Sequence, residues 1–394
     1  MSDRAVKLFV CGDVMLGRGI DQILPHPGDP ALREDYVAEA GAYVRMAESV
    51  NGAIPAPVDY VWPWGDALSV LDAAEPDVRV INLETAITTS DDFAPGKGVH
   101  YRMHPANTPC LAAVEPDVCV LSNNHSLDFG RAGLTETLDA LTIAGLKAAG
   151  AGRYAAEAYR PAVVDAGGGR RVLVFAVGMP SSGIPTDWAA TDHRSGLAFV
   201  PAPTAEAAGD IVSRVQRLKR AGDIVVVSLH WGSNWGYHVP RSHIRFAQAL
   251  VDGGVDIVHG HSSHHPRPLQ VYRDKLILYG CGDFVDDYEG IPGYEHFRDE
   301  LRLAYLISID PDTGRLADLQ LAPLRARRLR LEHATAEDRD WLRTVLNRTS
   351  SGFGVHIDPS QDMTLPLRWE RAAPGRGRDR AGRARATGPA PSGP

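Results

Sequence analysis

The sequence contains the stretch Val118-Cys119-Val120-Leu121-Ser122-Asn123-Asn124-His125-Ser126-Leu127-Asp128. A short apolar run ends at Leu121 and is followed by the amide of Asn124, the imidazole of His125 and the carboxylate of Asp128. Such a run, bounded by polar residues, is typical of a buried strand. The three polar groups are therefore expected at the carboxyl end of a strand.

Four other apolar runs end in the same way, at residues that can bind a metal ion or carry a proton. They are Leu8-Phe9-Val10 before Gly12-Asp13, Val80-Ile81 before Asn82-Leu83-Glu84, Val225-Val226-Val227 before Ser228-Leu229-His230, and Val255-Asp256-Ile257-Val258 before His259-Gly260-His261. Strands of an α/β sheet deliver their carboxyl ends to one edge, where ligands usually bind. The five strand ends therefore predict one shared site.

Segments with helical spacing alternate with these runs and predict the fold class. They lie at residues 65–73, 108–114, 134–148, 205–221 and 242–252. A βαβα order of this kind favours an α/β protein whose sheets are covered by helices.

After about residue 269 the pattern changes to hairpins. Strands are predicted at 269–272 and 275–279 around the turn Arg273-Asp274, and at 301–309 and 316–324 around Pro311-Asp312-Thr313-Gly314. We predict one domain over residues 1–370. Residues 371–394, rich in Gly, Arg and Pro, are predicted to be disordered.

The net charge and the cysteine spacing argue against some partners and against disulfide bonds. The chain of 394 residues has a formal charge of −8, and six arginines between Arg371 and Arg385 leave the preceding part more acidic still. Nucleic acid is therefore not expected as a partner. The four cysteines show no CxxC spacing, and no signal peptide or membrane segment is recognised, which together predict a soluble cytoplasmic protein without disulfides.

The strand ends supply carboxylate, amide and imidazole groups, which are the ligands of divalent cations. The predicted ligands are Asp13, Glu84, Asn124, His230 and His261. Each alone is often only a turn, cap or core residue, so the prediction depends on their convergence. Oxygen ligands suit Ca²⁺ or Mn²⁺, and the imidazoles are also compatible with Zn²⁺.

In this order, the motifs resemble the CapA-type proteins, which are named for poly-γ-glutamate capsule synthesis. The matching segments are Gly12-Asp13, Asn82-Leu83-Glu84, Ser122-Asn123-Asn124-His125, Leu229-His230-Trp231-Gly232, Gly260-His261 through Pro266, and Tyr279-Gly280-Cys281-Gly282-Asp283-Phe284. The resemblance covers about residues 6–324. It implies a calcineurin-like metallophosphoesterase fold, a sandwich of two mixed sheets flanked by helices, here with C-terminal hairpin strands.

Two positions depart from the pattern of dimetal phosphoesterases. Those enzymes carry Asp-x-His after the first strand, and here the third position is Met15. Their bridging Asp is matched by Glu84. With one imidazole missing, we predict one divalent ion rather than two. Phosphoester hydrolysis by two ions that clamp the attacking and leaving oxygens is correspondingly disfavoured.

The site region also contains acid and base groups beyond the ligands. We predict that His125, His264 and His265 carry protons, with Asp128 and Asp287 as orienting carboxylates. Pairs on opposite sides of one carbon would remove and return a proton next to a carbonyl. CapA-like proteins without a membrane anchor resemble enzymes that modify ribosomally made peptides, including epimerases of the C-terminal tryptophan of lasso peptides.

The first hypothesis is therefore a metal-dependent peptide epimerase, with a peptide or precursor peptide as partner. Substrate-binding residues would be Arg18, Arg102 and Arg267 for a carboxylate, and Trp231 and Trp235 for an aromatic group. The alternative is a CapA-type hydrolase of phosphoester or γ-glutamyl amide bonds linked to capsule or poly-γ-glutamate metabolism. A third reading is a non-catalytic module that binds capsule polymer.

Overall fold

The apolar runs form strands in the computed structural model, which describes residues 5–359 and 362–370. The strands of this part of the chain are β1 Val6–Val14, β2 Val78–Leu83, β3 Ala86–Ile87, β4 Arg102–Met103, β5 Val118–Val120, β6 Lys147–Ala149, β7 Ala151–Gly152, β8 Ala162–Asp165, β9 Arg171–Gly178, β10 Gly196–Leu197, β11 Ile224–His230, β12 Ile257–His261, β13 Leu269–Tyr272, β14 Lys275–Leu278, β15 Asp283–Val285, β16 Leu301–Ile309, β17 Leu316–Ala326, β18 Leu331–His333, β19 Val355–Ile357 and β20 Leu365–Trp369.

Helices alternate with the strands over the first two thirds of the chain. They are α1 Gly19–Ile23, α2 Gly41–Asn51, α3 Ala67–Ala74, α4 Thr108–Ala112, α5 Gly130–Ile143, α6 Ala155–Ala158, α7 Ala205–Leu218, α8 Arg241–Asp252 and α9 Ala336–Ser350. The predicted helix at 134–148 was wrong at its end. Gly145, with φ of +74°, follows the last turn of α5, and residues 147–149 form β6.

Two mixed sheets dominate the architecture. The first has the order β19-β20-β17-β16-β1-β2-β5-β6, with β15 paired to β1 and β18 paired to β17, and the second has the order β13-β14-β12-β11-β9-β8. In the first sheet β1, β2, β5 and β6 are parallel, and β16 joins β1 antiparallel. In the second, β9, β11, β12 and β14 are parallel, while β8 and β13 are antiparallel edges.

Three apolar layers hold the sheets and helices together. Side chains of the first sheet, such as Val10 and Val80, meet Val174 and Val226 of the second in a core between the sheets. A second core packs the outer face of the first sheet against α1 to α5, and a third packs the outer face of the second sheet against α7 and α8. The predicted fold class, a sandwich of two mixed sheets flanked by helices, is confirmed.

The C-terminal hairpins are also confirmed. β13 and β14 pair antiparallel around Arg273 and Asp274, which both have positive φ, at 52° and 59°. Two central residues of this conformation match the right-handed twist of the strands. β16 and β17 form the second, longer hairpin, which supplies the antiparallel half of the first sheet.

No helix among the described residues is both long and apolar enough to cross a membrane. The predicted domain boundary at residue 370 stays a prediction, and the predicted disordered segment 371–394 lies outside the described residues.

Candidate metal centre

The carboxyl ends of strands from both sheets meet at one edge of the sandwich. The backbone of β12 approaches β1 closely enough for His259 Nε2 to bond the carbonyl oxygen of Cys11 at 2.7 Å. The Ser262 amide, just after β12, donates to Asp13 Oδ2 at 3.2 Å. Gly12 permits a further close approach, because a Cβ there would lie 1.6 Å from the carbonyl oxygen of Gly282. Residues far apart in the sequence are thereby brought to Asp13.

Two carboxylates of the first sheet lie beside one another at this edge. The side-chain amide of Asn82 donates to Asp13 Oδ1 at 2.8 Å and to Glu84 Oε2 at 2.9 Å. Burial, followed by the charge of Asp283, raises the pKa of Asp13 to about 7, and burial together with Asp13 raises the pKa of Glu84 well above its usual range. The pKa values are raised because Asp13 and Glu84 lie close together where water does not screen their negative charges.

Imidazoles of the second sheet face these carboxylates. His230 Nδ1 and His261 Nδ1 lie 2.7 Å apart, and His230 Nε2 lies 2.7 Å from Asn124 Oδ1. Glu84 Oε1 is 3.8 Å from His230 Nε2, and Asp13 Oδ1 is 3.8 Å from His261 Nδ1. Burial lowers the pKa of both histidines well below the usual value, so both are neutral and can offer lone pairs.

Two groups of side chains have the spacing of a metal site, and they share Asp13. The first is Asp13, His230 and His261, and the second is Asp13, His264 and Asp283, with the ligand atoms of each group within 4.8 Å of one another. Asp283 Oδ2 is buried without a hydrogen-bond partner. The orphaned oxygen of Asp283, the raised pKa of Asp13 and the lone pairs of neutral His230 and His261 fit a divalent cation at this edge.

The five predicted ligands are thus brought together, and the second group adds two further side chains. They are Asp283 and His264, of which His264 is predicted above as a proton carrier, and His264 Nδ1 already bonds Asp283 Oδ1 at 2.9 Å. The first group, with Asn124 and Glu84 beside it, keeps its oxygens and nitrogens directed at a common volume. One ion there remains the prediction.

One imidazole–carboxylate pair comes from the turn that follows β5. His125 Nδ1 lies 2.7 Å from Asp128 Oδ2, and Lys97 Nζ lies 2.5 Å from the other oxygen of Asp128. Burial lowers the pKa of His125 to about 4; Asp128 opposes this effect and Lys97 adds to it. His125 Nε2 lies 3.9 Å from Glu84 Oε1, which sets this neutral imidazole beside the predicted ligands.

The second pair comes from the loop after β12 and the start of β15. His264 Nδ1 bonds Asp283, and Asn234 Nδ2 lies 3.0 Å from His264 Nε2. Burial alone would lower the pKa of His264, but Asp283, Asp13 and Asp286 outweigh burial and raise it. This imidazole therefore keeps its proton to a higher pH than an unperturbed histidine does.

Two predicted proton-transfer residues have other roles. Asp287 accepts hydrogen bonds from Arg18 and from the Gly19 amide, and within the described part of the chain it bonds no histidine, so the partner of His264 is Asp283 instead. His265 accepts from the Gly236 amide at 3.0 Å, and its other nitrogen lies 3.0 Å from the Pro266 carbonyl oxygen. With both nitrogens used within the protein, His265 holds two loops together.

The three predicted arginines do not fit a substrate-binding role. Arg18 is 3% exposed and is occupied by Asp287 and Glu34. Arg102 donates to the backbone oxygens of residues 90 and 29, and Arg267 donates to those of residues 233 and 235. The sequence could not reveal that their hydrogen-bond donors are used inside the protein to fix loops.

The two predicted tryptophans also lie outside the pocket wall. Trp231 is buried, stacks on His243 with ring centroids 4.3 Å apart, and donates to the Tyr279 carbonyl oxygen. Trp235 stacks on Tyr294 at 4.0 Å and 4°, at the rim. Trp231 is therefore a core residue, whereas Trp235 ties two loops together beside the entrance.

A pocket of about 220 Å³ opens over the candidate centre. Its walls are formed by Glu84, Lys97, Gly98, Val99, Asn124, His125, Asn234, Ser262, His264 and Tyr288. Sequence reasoning missed Lys97, Asn234 and Tyr288. Asn234 and Tyr288 follow motifs that were recognised, but Lys97 lies in a loop between β3 and β4 without any strand or ligand pattern.

The chain is similar to proteins whose names refer to capsule or polymer synthesis. A family model described as "Bacterial capsule synthesis protein PGA_cap" matches residues 7–288. A probable polyglutamine synthesis accessory protein of Mycobacterium tuberculosis is 54% identical over 363 residues, covering 92% of this chain and 96% of the relative. The PGA biosynthesis protein CapA of Bacillus subtilis is 25% identical over 305 residues, covering 77% of this chain and 68% of that protein.

Among solved structures, a 5'-nucleotidase precursor from Thermus thermophilus is similar over 87% of this chain and 58% of its own, with a TM-score of 0.43 and 14% identity.

Proposed function

The chain belongs to the bacterial capsule synthesis family PGA_cap, and on that premise we propose that it is a metal-dependent hydrolase of glutamyl amide bonds, accessory to the synthesis of a glutamate or glutamine polymer. The predicted phosphoester substrate is less well supported, because buried Met15 occupies the position of the second imidazole donor. The names of the relatives, which refer to polymer synthesis, favour the hydrolase over the epimerase.

One observation carries the proposal. The buried group of Asp13, His230 and His261 lies at the same strand-end edge as His125, which lines the pocket and bonds Asp128. A cation held by the first group would act as a Lewis acid on a carbonyl oxygen. The protein groups beside it supply the proton transfers that amide cleavage needs.

The two imidazoles of the pocket have complementary roles in this proposal. His125, neutral above about pH 4, accepts a proton from the attacking water, and Asp128 stabilises the imidazolium that forms. His264, whose pKa is raised, donates a proton to the departing amine nitrogen. Lys97 and Asn234 flank these groups and would orient the acyl chain through hydrogen bonds.

A cytoplasmic setting is part of the proposal. It is supported by the four cysteines, which are all buried and unpaired.

The test is amine release from defined polymers. Protein loaded with Mn²⁺, Ca²⁺ or Zn²⁺ is incubated with γ-linked oligoglutamate, α-linked oligoglutamate or p-nitrophenyl phosphate. We expect new amines from a glutamyl substrate, loss of the activity on chelation, and at most weak phosphate release. The His125→Ala variant should be inactive, while His243→Gln, a matched change at a buried histidine outside the pocket, should be active. Rapid phosphate release without any amine would refute the proposed reaction.

Epimerisation remains the second candidate because His125 and His264 line one pocket, each is paired with a carboxylate, and their pKa values are shifted in opposite directions. A neutral base and a charged acid on two sides of a carbon could remove a proton from it and return one to the other face. In deuterated water an epimerase would place one deuterium at a Cα of a peptide without cleaving it. Release of amine with no deuterium at Cα would exclude this reaction.

A further inference from the structure

A pair of tyrosines joins the two imidazoles of the pocket. The Tyr101 ring packs edge-on against His125, with centroids 4.4 Å apart at 71°, and the Tyr288 ring packs edge-on against His264, at 5.2 Å and 81°. The two hydroxyls meet at 2.7 Å, with Tyr101 donating to Tyr288. Of the two rings, Tyr288 lines the pocket.

The hydrogen of the Tyr288 hydroxyl is available to a ligand. A phenol has one hydrogen to donate and can accept hydrogen bonds as well. Tyr101 uses its hydrogen on Tyr288, and among the described residues the Tyr288 hydroxyl donates to no acceptor. Burial raises the pKa of Tyr288 well above its usual value, so the hydroxyl keeps its hydrogen at neutral pH.

The turn that carries Tyr288 is clamped by two buried arginines. The Tyr288 amide donates to Asp286 Oδ1 at 3.1 Å, and Asp286 pairs with Arg302 at 2.5 Å. Asp287 is held by Arg18 and by the Gly19 amide at 2.8 Å. The turn is therefore fixed before any ligand arrives, and a donor that is already in place loses little energy to reorganisation when charge develops.

We propose that the Tyr288 hydroxyl donates a hydrogen bond to the carbonyl oxygen of the substrate as negative charge develops there, with Tyr101 as its positioning residue. No proton is transferred in this step. The inference rests on the proposed function only in requiring a carbonyl at the reacting centre. Amide cleavage places the charge on a tetrahedral oxyanion, whereas removal of a Cα proton places it on an enolate oxygen, and the donor serves both.

The test compares Tyr288→Phe and Tyr101→Phe with Tyr272→Phe. Tyr272 lies on the β13–β14 hairpin, where its hydroxyl is 3.4 Å from Asp252, and serves as a matched control. With Mn²⁺-loaded protein and γ-linked oligoglutamate, Tyr288→Phe should lower kcat roughly 100-fold, as loss of an oxyanion donor does, with little change in KM. Tyr101→Phe should lower kcat about tenfold, and Tyr272→Phe should leave it unchanged. Ion content should be equal in all four proteins.

A second measurement does not need turnover. A phosphonamidate analogue of the γ-glutamyl amide imitates the tetrahedral oxyanion, and Tyr288→Phe should weaken its binding roughly 100-fold while binding of the uncleaved oligomer stays the same. A Tyr288→Phe variant that keeps both kcat and analogue binding within about threefold of wild type would overturn the proposal.

The outcomes separate this inference from the proposed hydrolysis. If wild-type protein exchanges deuterium at Cα but releases no amine, hydrolysis is refuted, and the same variants are compared by their exchange rates. If wild-type protein shows no amine release, no exchange and no analogue binding, both proposals fail.

Discussion

The two imidazole–carboxylate pairs of the pocket have the same composition, but the pKa values of their histidines are shifted in opposite directions. His125 with Asp128 and His264 with Asp283 are joined at 2.7 and 2.9 Å, and all four side chains are buried. Yet the pKa of His125 is lowered to about 4, whereas the pKa of His264 is raised.

Charges outside each pair account for the difference. Burial disfavours the charged form of both imidazoles. Around His125 the next influences include Lys97, whose positive charge also disfavours imidazolium, while around His264 the additional charges are the carboxylates Asp13 and Asp286. A histidine–carboxylate contact therefore does not by itself define an acid or a base; the surrounding charges do.

The largest effect is expected from Asp13→Asn. Asp13 belongs to both candidate ligand groups and is one of the carboxylates that raise the pKa of His264. We expect loss of the bound ion and a fall in kcat of about 1000-fold or more, since a metal ion contributes several kcal/mol of transition-state stabilisation. Elemental analysis and kinetics measure both effects, with Asp318→Asn, a change at a partly exposed carboxylate on β17, as control. An Asp13→Asn protein that retains ion and rate would contradict the assigned centre.

Replacing His125, the histidine of lowered pKa, should have the next largest effect. His125→Ala is expected to lower kcat by roughly 10² to 10⁴, the usual contribution of general acid–base catalysis. Thermal unfolding and circular dichroism should show an intact fold, and the ion should remain. A variant with more than about a tenth of the wild-type rate would show that His125 does not carry the proton.

The pH dependence of the activity distinguishes His125 from His264. Because the pKa of His125 is about 4, the base is neutral and competent above that value, so activity should fall as the pH drops toward 4. Because the pKa of His264 is raised, the acid stays charged above its usual titration range, and activity should fall only as the pH rises through that higher value.

The variant Asp283→Asn tests whether deprotonation of His264 causes the fall in activity at high pH. Without that carboxylate the pKa of His264 should fall, because burial is then opposed by fewer charges, and the basic limb should move to lower pH with a loss of roughly tenfold at pH 8. The pH–rate profile of the variant measures this shift. An unchanged basic limb would mean that another group supplies the acid.

The smallest effect is expected from Lys97→Met. The positive charge of Lys97 lowers the pKa of His125, so its removal should raise that pKa and move the acidic limb upward. Asp128 also loses an ion pair at 2.5 Å, and we expect kcat at pH 7 to fall about three- to tenfold through weaker orientation of the imidazole. Lys97→Arg keeps the positive charge and should leave the acidic limb of the pH–rate profile where it is in the wild type. If Lys97→Met and Lys97→Arg gave the same pH–rate profile, the charge of Lys97 would not control the pKa of His125.

Much of the site could be predicted because strands end at the same edge in this fold class. Asp13, Glu84, Asn124, His230 and His261 each follow an apolar run, and the structure brings them to a common volume. Their roles as metal ligands stay predictions. Lys97 could not be found in this way, because its loop has no periodic pattern and meets the site through tertiary contacts with Asp128 and the Asn124 carbonyl oxygen.

Three residues predicted to act in the site are paired inside the protein instead. Arg18 and Arg267 are predicted to bind substrate, and Asp287 to orient a proton-carrying histidine, because their residue types suit those tasks, but each is buried and paired inside the protein. Side-chain chemistry indicates what a residue can bind, whereas only packing decides whether substrate or protein occupies it.

The sequence by itself determined the layered α/β fold, the hairpins at its C-terminal end and the group of strand ends that carries the candidate ligands. These follow from local periodicity and from the shared direction of parallel strands. Tertiary structure alone decided which carboxylate orients which imidazole and whether each imidazole is charged. Those properties depend on burial and on charges only a few ångströms away, and such distances join residues that the sequence separates widely.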